Sequence, residues 1–271
     1  MSGVRPSQRG RLRLEIAPGR RRAWLARAEA TAPLRVHRAF PVGGGEIVVQ
    51  LVHVGPGVLA GDALELDVVV RSGAAAILVV QSATKVHRMP EEAAASQTIT
   101  AWVEAGASLE VHAGLVIPFP GATYQQRATL EVEGDGRLVW VERWRTGRHA
   151  DAARGRFRHL SATTTVRANG RLRYADRFEA TGTGTRPEHD VGVLDGRACL
   201  ASGVFVGGAE PPTVDGADGL AVGPFDEGLP GCYLRGVSDD AAALRRAVEA
   251  TVAEQRRRDG RSSVRLDRYG S

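Results

Sequence analysis

Apolar residues fall on every second position through much of this chain, and that period limits the fold more than any other feature. Leu12, Leu14 and Ile16 alternate with polar neighbours, and so do Leu64, Leu66, Val68 and Val70. Ile99, Ala101 and Val103 do the same between Thr98, Thr100 and Trp102. Successive side chains of a strand point to opposite faces, so these runs read as half-buried strands. Glycine-bearing turns separate them at Ser72-Gly73, Ala105-Gly106, Gly134-Asp135-Gly136 and Asp195-Gly196. Asn169-Gly170 is the strongest hairpin signal, because both residues tolerate the positive φ of a type I′ turn and β-rich runs at 161–168 and 171–180 flank them. The pattern predicts an all-β fold of extended, layered, mostly antiparallel sheets, sandwich-like, with one or two helices. One helix belongs near the C-terminus. Ser238 can cap it, Asp239 and Asp240 suit its positive end, and Leu244, Val248 and Val252 form one stripe. Arg256, Arg257 and Arg258 suit the last turn, and Gly260 can stop it. That thin stripe serves either to dock the helix on a sheet or to hold a partner.

The 271 residues are read as a single domain, since all-β units reach this size. Residues 1–10 and 262–271 are expected to be flexible ends, and residues 207–230, rich in Gly, Pro and Asp, an irregular loop. No internal repeat stands out. No run approaches the roughly 18 apolar residues of a membrane span. The first thirteen residues are basic and polar, without the apolar centre of a signal peptide, so the expected location is cytoplasmic, with no membrane partner. Cys199 and Cys232 are too few for a disulfide framework and are expected as buried thiols. The net charge of +5 raises the question of nucleic acid, but acidic residues interleave with the arginines and aromatics make up only 5%, so stacking platforms are not evident. A solvated face or an acidic protein partner fits better. Trp24, Trp102, Trp140 and Trp144 read as core or sheet-face residues.

Enzymatic signatures are missing. There is no Gly-x-Ser-x-Gly elbow and no Walker A sequence. The turn Gly55-Pro56-Gly57-Val58-Leu59-Ala60-Gly61-Asp62 leads into an alternating strand rather than a helix, so Gly61 is expected to permit a tight turn and Asp62 to accept backbone N–H bonds. The seven histidines form neither His-x-His nor His-x-x-x-His, so no local chelate is visible. One residue stands apart: of 36 basic side chains, Lys85 alone is lysine. It follows the apolar run 75–80 in Thr84-Lys85-Val86-His87-Arg88. A lysine is a compact point charge where arginine is a planar fork, so Lys85 either serves a confined polar contact or snorkels to water from a strand end.

In order, the chain carries Gly61-Asp62, Thr84-Lys85 with Arg88, Gly106-Ala107-Ser108-Leu109-Glu110, Ile117-Pro118-Phe119-Pro120-Gly121-Ala122 and Gly147-Arg148. This succession resembles the UreD (UreH) family of urease accessory proteins, with order and spacing holding over residues 10–260. The resemblance implies a non-catalytic, mostly antiparallel β scaffold. Such a scaffold binds apo-urease and recruits a helical accessory protein, UreF, and a nickel-carrying GTPase, UreG. It implies no tightly bound cofactor, with nickel in transit through a polar interior path. Gly61, Asp62, Thr84, Lys85, Arg88, Gly121, Gly147 and Arg148 become the candidates for partner or channel contacts. A non-enzymatic all-β module for a ligand or peptide, bound at residues 181–230, is the alternative.

The chain departs from the family where Val111-His112-Ala113-Gly114 replaces a common Leu-Pro-Glu, and where 151–155 lacks a common Glu. His112 and Asp151 then stand as substitutes, and with His87 they are the candidates for weak, transient metal contact. Dispersed ligands of this kind give no preformed structural site. Calorimetric titration of the purified chain with nickel is expected to show only weak binding at about pH 7.5. That binding should be lost at about pH 5.5, as histidine protonates.

Overall fold

The computed structural model describes residues 7–146, 156–182, 194, 196–208, 219–225 and 230–270. Among them the chain forms sixteen strands. The first eight are β1 (Arg9–Ala17), β2 (Trp24–Ala30), β3 (Leu34–Pro41), β4 (Ile47–His53), β5 (Ala63–Val70), β6 (Ala75–Val80), β7 (Ala83–Val86) and β8 (Ala95–Val103). Then follow β9 (Ser108–Pro118), β10 (Thr123–Val132), β11 (Arg137–Arg145), β12 (His159–Ala168), β13 (Arg171–Thr181), β14 (Cys199–Val206), β15 (Leu220–Pro224) and β16 (Gly231–Ser238). One α-helix, α1 (Ala241–Arg258), comes near the end. No helix among the described residues is long and apolar enough to cross a membrane.

The strands make two sheets. The first is ordered β13-β12-β10-β8-β5-β1-β2, and the second β15-β16-β14-β11-β9-β6-β4-β3, with β7 also paired to β9. The all-β class with a helix near the C-terminus is as the sequence predicts; the antiparallel majority is not. Among the described residues eight strand pairings are parallel and six antiparallel. The reason lies in the path. From β5 to β12 the chain crosses from one sheet to the other at nearly every step, so β5, β8, β10 and β12 stack in parallel while β6, β9 and β11 stack in the other sheet. Parallel neighbours need a crossover, and here a strand of the opposite sheet supplies it. Alternation of apolar and polar residues is the same for both pairings, so the sequence period does not separate them.

The crossings are short glycine turns laid on one another. Gly73, Gly106 and Gly134 hold φ of 76°, 71° and 52°, a region open to glycine at little cost. Gly73 donates its N–H to the Gly106 carbonyl at 3.3 Å, and Gly106 donates to Asp135 Oδ1 at 2.7 Å. The Asn169-Gly170 turn forms as read, at φ of 51° and 75°, joining β12 to β13.

Inward side chains of both sheets share one core. Leu12, Leu14 and Ile16 of β1 meet Val49, Leu51, Leu78 and Val111 from the second sheet. On the far side of the second sheet α1 buries Leu244, Ala247, Val248 and Val252 against Val139, Val141, Ala201 and Phe205. The thin stripe is thus consumed by docking on the sheet. The cap is Asp240, which accepts the Ala242 N–H at 2.8 Å, while Ser238 braces Asp240. Cys199 and Cys232 are both buried thiols.

Two expectations about irregular segments change. Within 207–230 the residues Leu220–Pro224 pair with β16 as a strand. Residues 262–270 are held rather than loose: Leu266 packs on Val48, Ile77 and Val79, and the Tyr269 carbonyl accepts from Gln50 Nε2 at 2.9 Å. At the other end, the first strand among the described residues begins at Arg9.

A buried ion cluster fixes helix and tail. Arg256, with its side chain 4% exposed, reaches Glu46 and Glu110 at 2.7 Å each. Arg261 adds bonds to Glu46 at 2.7 Å and Ser108 at 2.8 Å, and His112 Nε2 meets Glu110 at 2.7 Å. Burial by itself would raise the Glu110 carboxyl. The His112 ring and the Arg256 guanidinium outweigh that and hold it near 2, so it stays charged. Removing the cation leaves buried carboxylates uncompensated. Arg256→Met is expected to lower the unfolding free energy by about 3–5 kcal/mol, read by chemical denaturation. Adding Glu46→Gln and Glu110→Gln should recover much of the loss; a silent single variant would show that the cluster contributes nothing.

Candidate functional site

The space between two packed sheets should be apolar, since an unpaired polar group there costs several kcal/mol. One band of it is not. Inward positions place Gln97 on β8, Tyr124 and Gln126 on β10, Glu142 on β11, Asp176 on β13, Ser202 on β14 and Arg235 on β16. Register sets them side by side. Gln97 lies beside Gln126 in the first sheet, and Glu142 beside Ser202, which lies beside Arg235, in the second.

These groups satisfy one another within each sheet and across the gap. Tyr124 donates to Gln97 Oε1 at 2.6 Å, and Gln126 Nε2 donates to Glu142 Oε2. Ser202 donates to Glu142 Oε1 at 2.9 Å. Arg235 pairs with Asp176 at 2.6 Å. Glu142 is the odd member: it is 4% exposed, and its hydrogen-bond partners are neutral. Burial raises its carboxyl to about 7, with the nearby Asp176 charge adding to that, and the bonds from Ser202 and Gln126 only partly offset it. Burial, and then the charge of Glu142, also push the Tyr124 phenol upward, so Tyr124 remains a donor.

One member of the seam, Gln97, lies near the place where the second sheet splits. β9 pairs with β6 over its first half and with β7 over its last residues. The end of β4 therefore faces β7 across a gap. A cleft of about 270 Å³ opens there, lined by His53, Gly55, Gly57, Ser82, Thr84 and Lys85. Val52, His53 and Thr84 also line a small, mainly leucine-walled hollow of about 40 Å³ whose wall includes Gln97. That is room for about one water-sized group.

Of the sequence-derived candidates, Thr84 and Lys85 line this opening and His87 adjoins it through Pro56; the others lie elsewhere. Val58 donates to the Lys85 carbonyl at 2.8 Å, and His87 donates back to Val58 O at 3.0 Å. A Cβ on Gly57 would lie 2.4 Å from the Lys85 carbonyl, so only glycine lets the loop approach. His87 Nε2 bonds Pro56 O at 2.9 Å and its ring sits edge-on to Phe119. Arg88 lays its stem over Gly121, which holds φ of 77°. Asp62 is buried and accepts the N–H groups of Gln8 and Leu59 at 2.8 Å each; Leu59 lies before it, so the turn is not an Asx-turn. Gly61, at φ of 77°, brings Asp62 into place. Thr84 faces the hollow. Lys85 is exposed, lines the cleft and has no ion-pair partner among the described residues. His112 lies apart, bonded to Glu110 beneath the helix side of the second sheet. Gly147, Arg148 and Asp151 fall outside the described residues. No three or more His, Cys, Asp or Glu side chains gather as a metal site among those described.

Sequence reading passed over Gln97, Gln126, Glu142, Asp176 and Ser202. A signal was present: Glu142 shares the phase of Trp140 and Trp144, and Gln126 that of Tyr124, Ala128 and Leu130. A polar residue on the apolar phase of a strand marks an interior polar group.

The chain matches the family model described as UreD urease accessory protein over residues 8–268. This chain belongs to the UreD family of urease accessory proteins. It is 32% identical over 263 residues to urease accessory protein UreD 1 of Synechococcus sp. (strain JA-3-3Ab), covering 96% of each chain. It is 30% identical over 270 residues to urease accessory protein UreD of Deinococcus radiodurans, covering 98% of this chain and 94% of that one. A third relative, from Opitutus terrae, is 32% identical over 219 residues, with 77% and 80% covered. A UreD-family chain has a role in urease maturation, and the seam is the feature of this one that packing alone does not explain.

The seam makes a pH prediction. A carboxyl that titrates at about 7 when folded and near 4.5 when unfolded holds its proton longer in the folded state. Its contribution to stability therefore falls as pH rises between those values. The gap corresponds to on the order of 3 kcal/mol. Glu142→Gln keeps the shape and removes the titration. In urea denaturation the variant is expected to gain on the native chain across that window and to stay ahead above it. Parallel curves would show that Glu142 is not held protonated.

Proposed function

We propose that this chain is a non-enzymatic cytoplasmic scaffold for urease maturation, and that the polar seam is a path for nickel on its way to apo-urease. The observation that carries the reading is Glu142, a buried carboxylate with neutral partners, set in a band of polar groups between the sheets. A stable core gains nothing from such a group, since an apolar residue of like size would cost less. A divalent cation passing between the sheets would gain a counter-charge from Glu142 and from Asp176, and oxygen ligands from Gln97, Gln126, Ser202 and Tyr124. Oxygen donors hold nickel less tightly than clustered imidazole or thiolate would. Weak, successive contacts suit passage, because a site must release what it binds. On this reading the chain binds the urease subunits, recruits the UreF-type helical protein and receives nickel from the UreG-type GTPase. Membership of the family and the likeness to chains named urease accessory protein support it.

The test uses a urease-positive host with no second copy of the gene. Glu142→Leu, which fits the apolar surroundings of Trp140 and Trp144, is expected to leave the protein folded and able to join its complexes. Urease activity and bound nickel should each fall about tenfold or more, the scale of loss that follows when a polar partner of a metal site is removed. Normal nickel loading by the Glu142→Leu variant would sink the path.

A further inference from the structure

The seam comes to the surface at one edge of the sandwich. Glu142, in its middle, is 4% exposed. At its end the side chains of Asp176 and Arg235 are 18% and 37% exposed. Asp176 lies on β13, the last strand of the first sheet, and Arg235 on β16, the last but one of the second. The last strand of the second sheet, β15, places Ala221 beside Arg235, and paired residues share a face. Ala221 is exposed. Among the described residues the second sheet therefore overhangs the first, and the space between them is open beside Arg235. Side chains close the rest of this edge. Tyr174 and Tyr233 stack across it with ring centroids 6.1 Å apart, and Phe178 packs on Trp144 at 5.8 Å. Between these aromatic contacts along β13, Arg235 Nη2 donates to Asp176 Oδ1 at 2.6 Å. This pair is unlike the joint at Arg256, where a guanidinium 4% exposed meets two carboxylates. Arg235 meets one carboxylate among the described residues and reaches solvent. A partly exposed single pair is held weakly and opens readily. Oxygen donors surround it. Thr164, 5% exposed, lies beside Asp176, and Ser202 lies between Arg235 and Glu142 in register and donates to Glu142 Oε1 at 2.9 Å.

We propose that this edge is where a divalent cation enters or leaves the seam, with Asp176 as its outermost ligand, and that Arg235 is a tethered positive charge which occupies that ligand until a free cation displaces it. The inference rests on the reading of the seam as a cation path and adds where the path meets solvent. A guanidinium does not lose its proton in a protein, so Arg235 can yield Asp176 only by swinging away. The exposed side of β15 gives it solvent to swing into. A tethered group competes at an effective concentration on the order of millimolar, so a dilute free cation loses to it unless its own attraction is stronger. A divalent ion has that advantage, because it brings twice the charge of the guanidinium to Asp176 and then to Glu142. The pair thus shuts the edge to monovalent ions and leaves the seam empty in the absence of a divalent one.

The experiment measures binding by the purified full chain, without its partners. Nickel chloride is titrated calorimetrically at about pH 7.5, where histidine is neutral. Circular dichroism checks that each variant is folded. Arg235→Gln removes the competing charge and is expected to bind nickel about tenfold more tightly than the native chain, or better. Arg235→Met, with a stem of like length, should do the same. Adding Asp176→Asn to either should return the affinity to the native level. Arg235→Lys keeps a tethered charge and should resemble the native chain. Arg127→Gln removes an exposed charge from the outer face of the first sheet and should leave the affinity within about twofold. The entrance is overturned if neither Arg235→Gln nor Arg235→Met binds nickel more tightly, if the gain survives Asp176→Asn, or if Arg235→Lys or Arg127→Gln gives the same gain. A pair that only ties the sheets together would lower stability in these variants without any gain in binding, and that result also overturns it. Failure here leaves the path through Glu142 to its own test in the host. Normal nickel loading by Glu142→Leu there would leave an Asp176-dependent gain at the edge standing.

Discussion

The crossings from β5 to β6, from β8 to β9 and from β10 to β11 are each made in four residues and stack on one another, and the rest of the architecture depends on that. A turn so tight needs positive φ, which Gly73, Gly106 and Gly134 supply. Because the turns bond one to the next, the strands they connect are set in parallel register in both sheets at once. The two inner faces therefore lie opposite each other along the whole coil. A polar residue placed inward on one sheet finds a partner on the other, as Gln126 finds Glu142 and Asp176 finds Arg235.

The described residues include two buried polar systems of opposite character. In the first, Arg256 answers Glu46 and Glu110, with Arg261 and His112 filling the remaining bonds. Every charge is matched, and the result anchors a helix and a tail to the sheet. The second, the seam, leaves Glu142 without a matching cation, so the group is held near the point of losing its proton. Complete compensation fits a structural joint. Incomplete compensation in the interior fits a site that waits for positive charge.

The relation between cleft and hollow also accounts for the Thr-Lys-Val-His-Arg segment. β7 exists because β9 outruns β6, and its other side is bridged by Val58 from the Gly55–Asp62 turn. Within four residues the strand turns Thr84 toward the hollow and Lys85 toward solvent. A motif that looks like one site is thus divided by strand geometry between an inner wall and an outer rim.

By itself the sequence determined the local structure: period-two strands, the Asn169-Gly170 turn, the C-terminal helix, buried cysteines and the family motifs. All of these rest on interactions between residues close in the chain, or on residue order. Whether neighbouring strands run parallel was not legible, because the alternation of side chains is the same in either direction. The tail at 262–270 read as loose because what holds it, Gln50 and the pocket of Val48, Ile77 and Val79, lies about two hundred residues away. The seam was half legible, in Glu142 and Gln126 standing on apolar phases. Only the tertiary structure decided that these residues face each other, because a hydrogen bond between sheets depends on register across the core and no spacing in the chain records it.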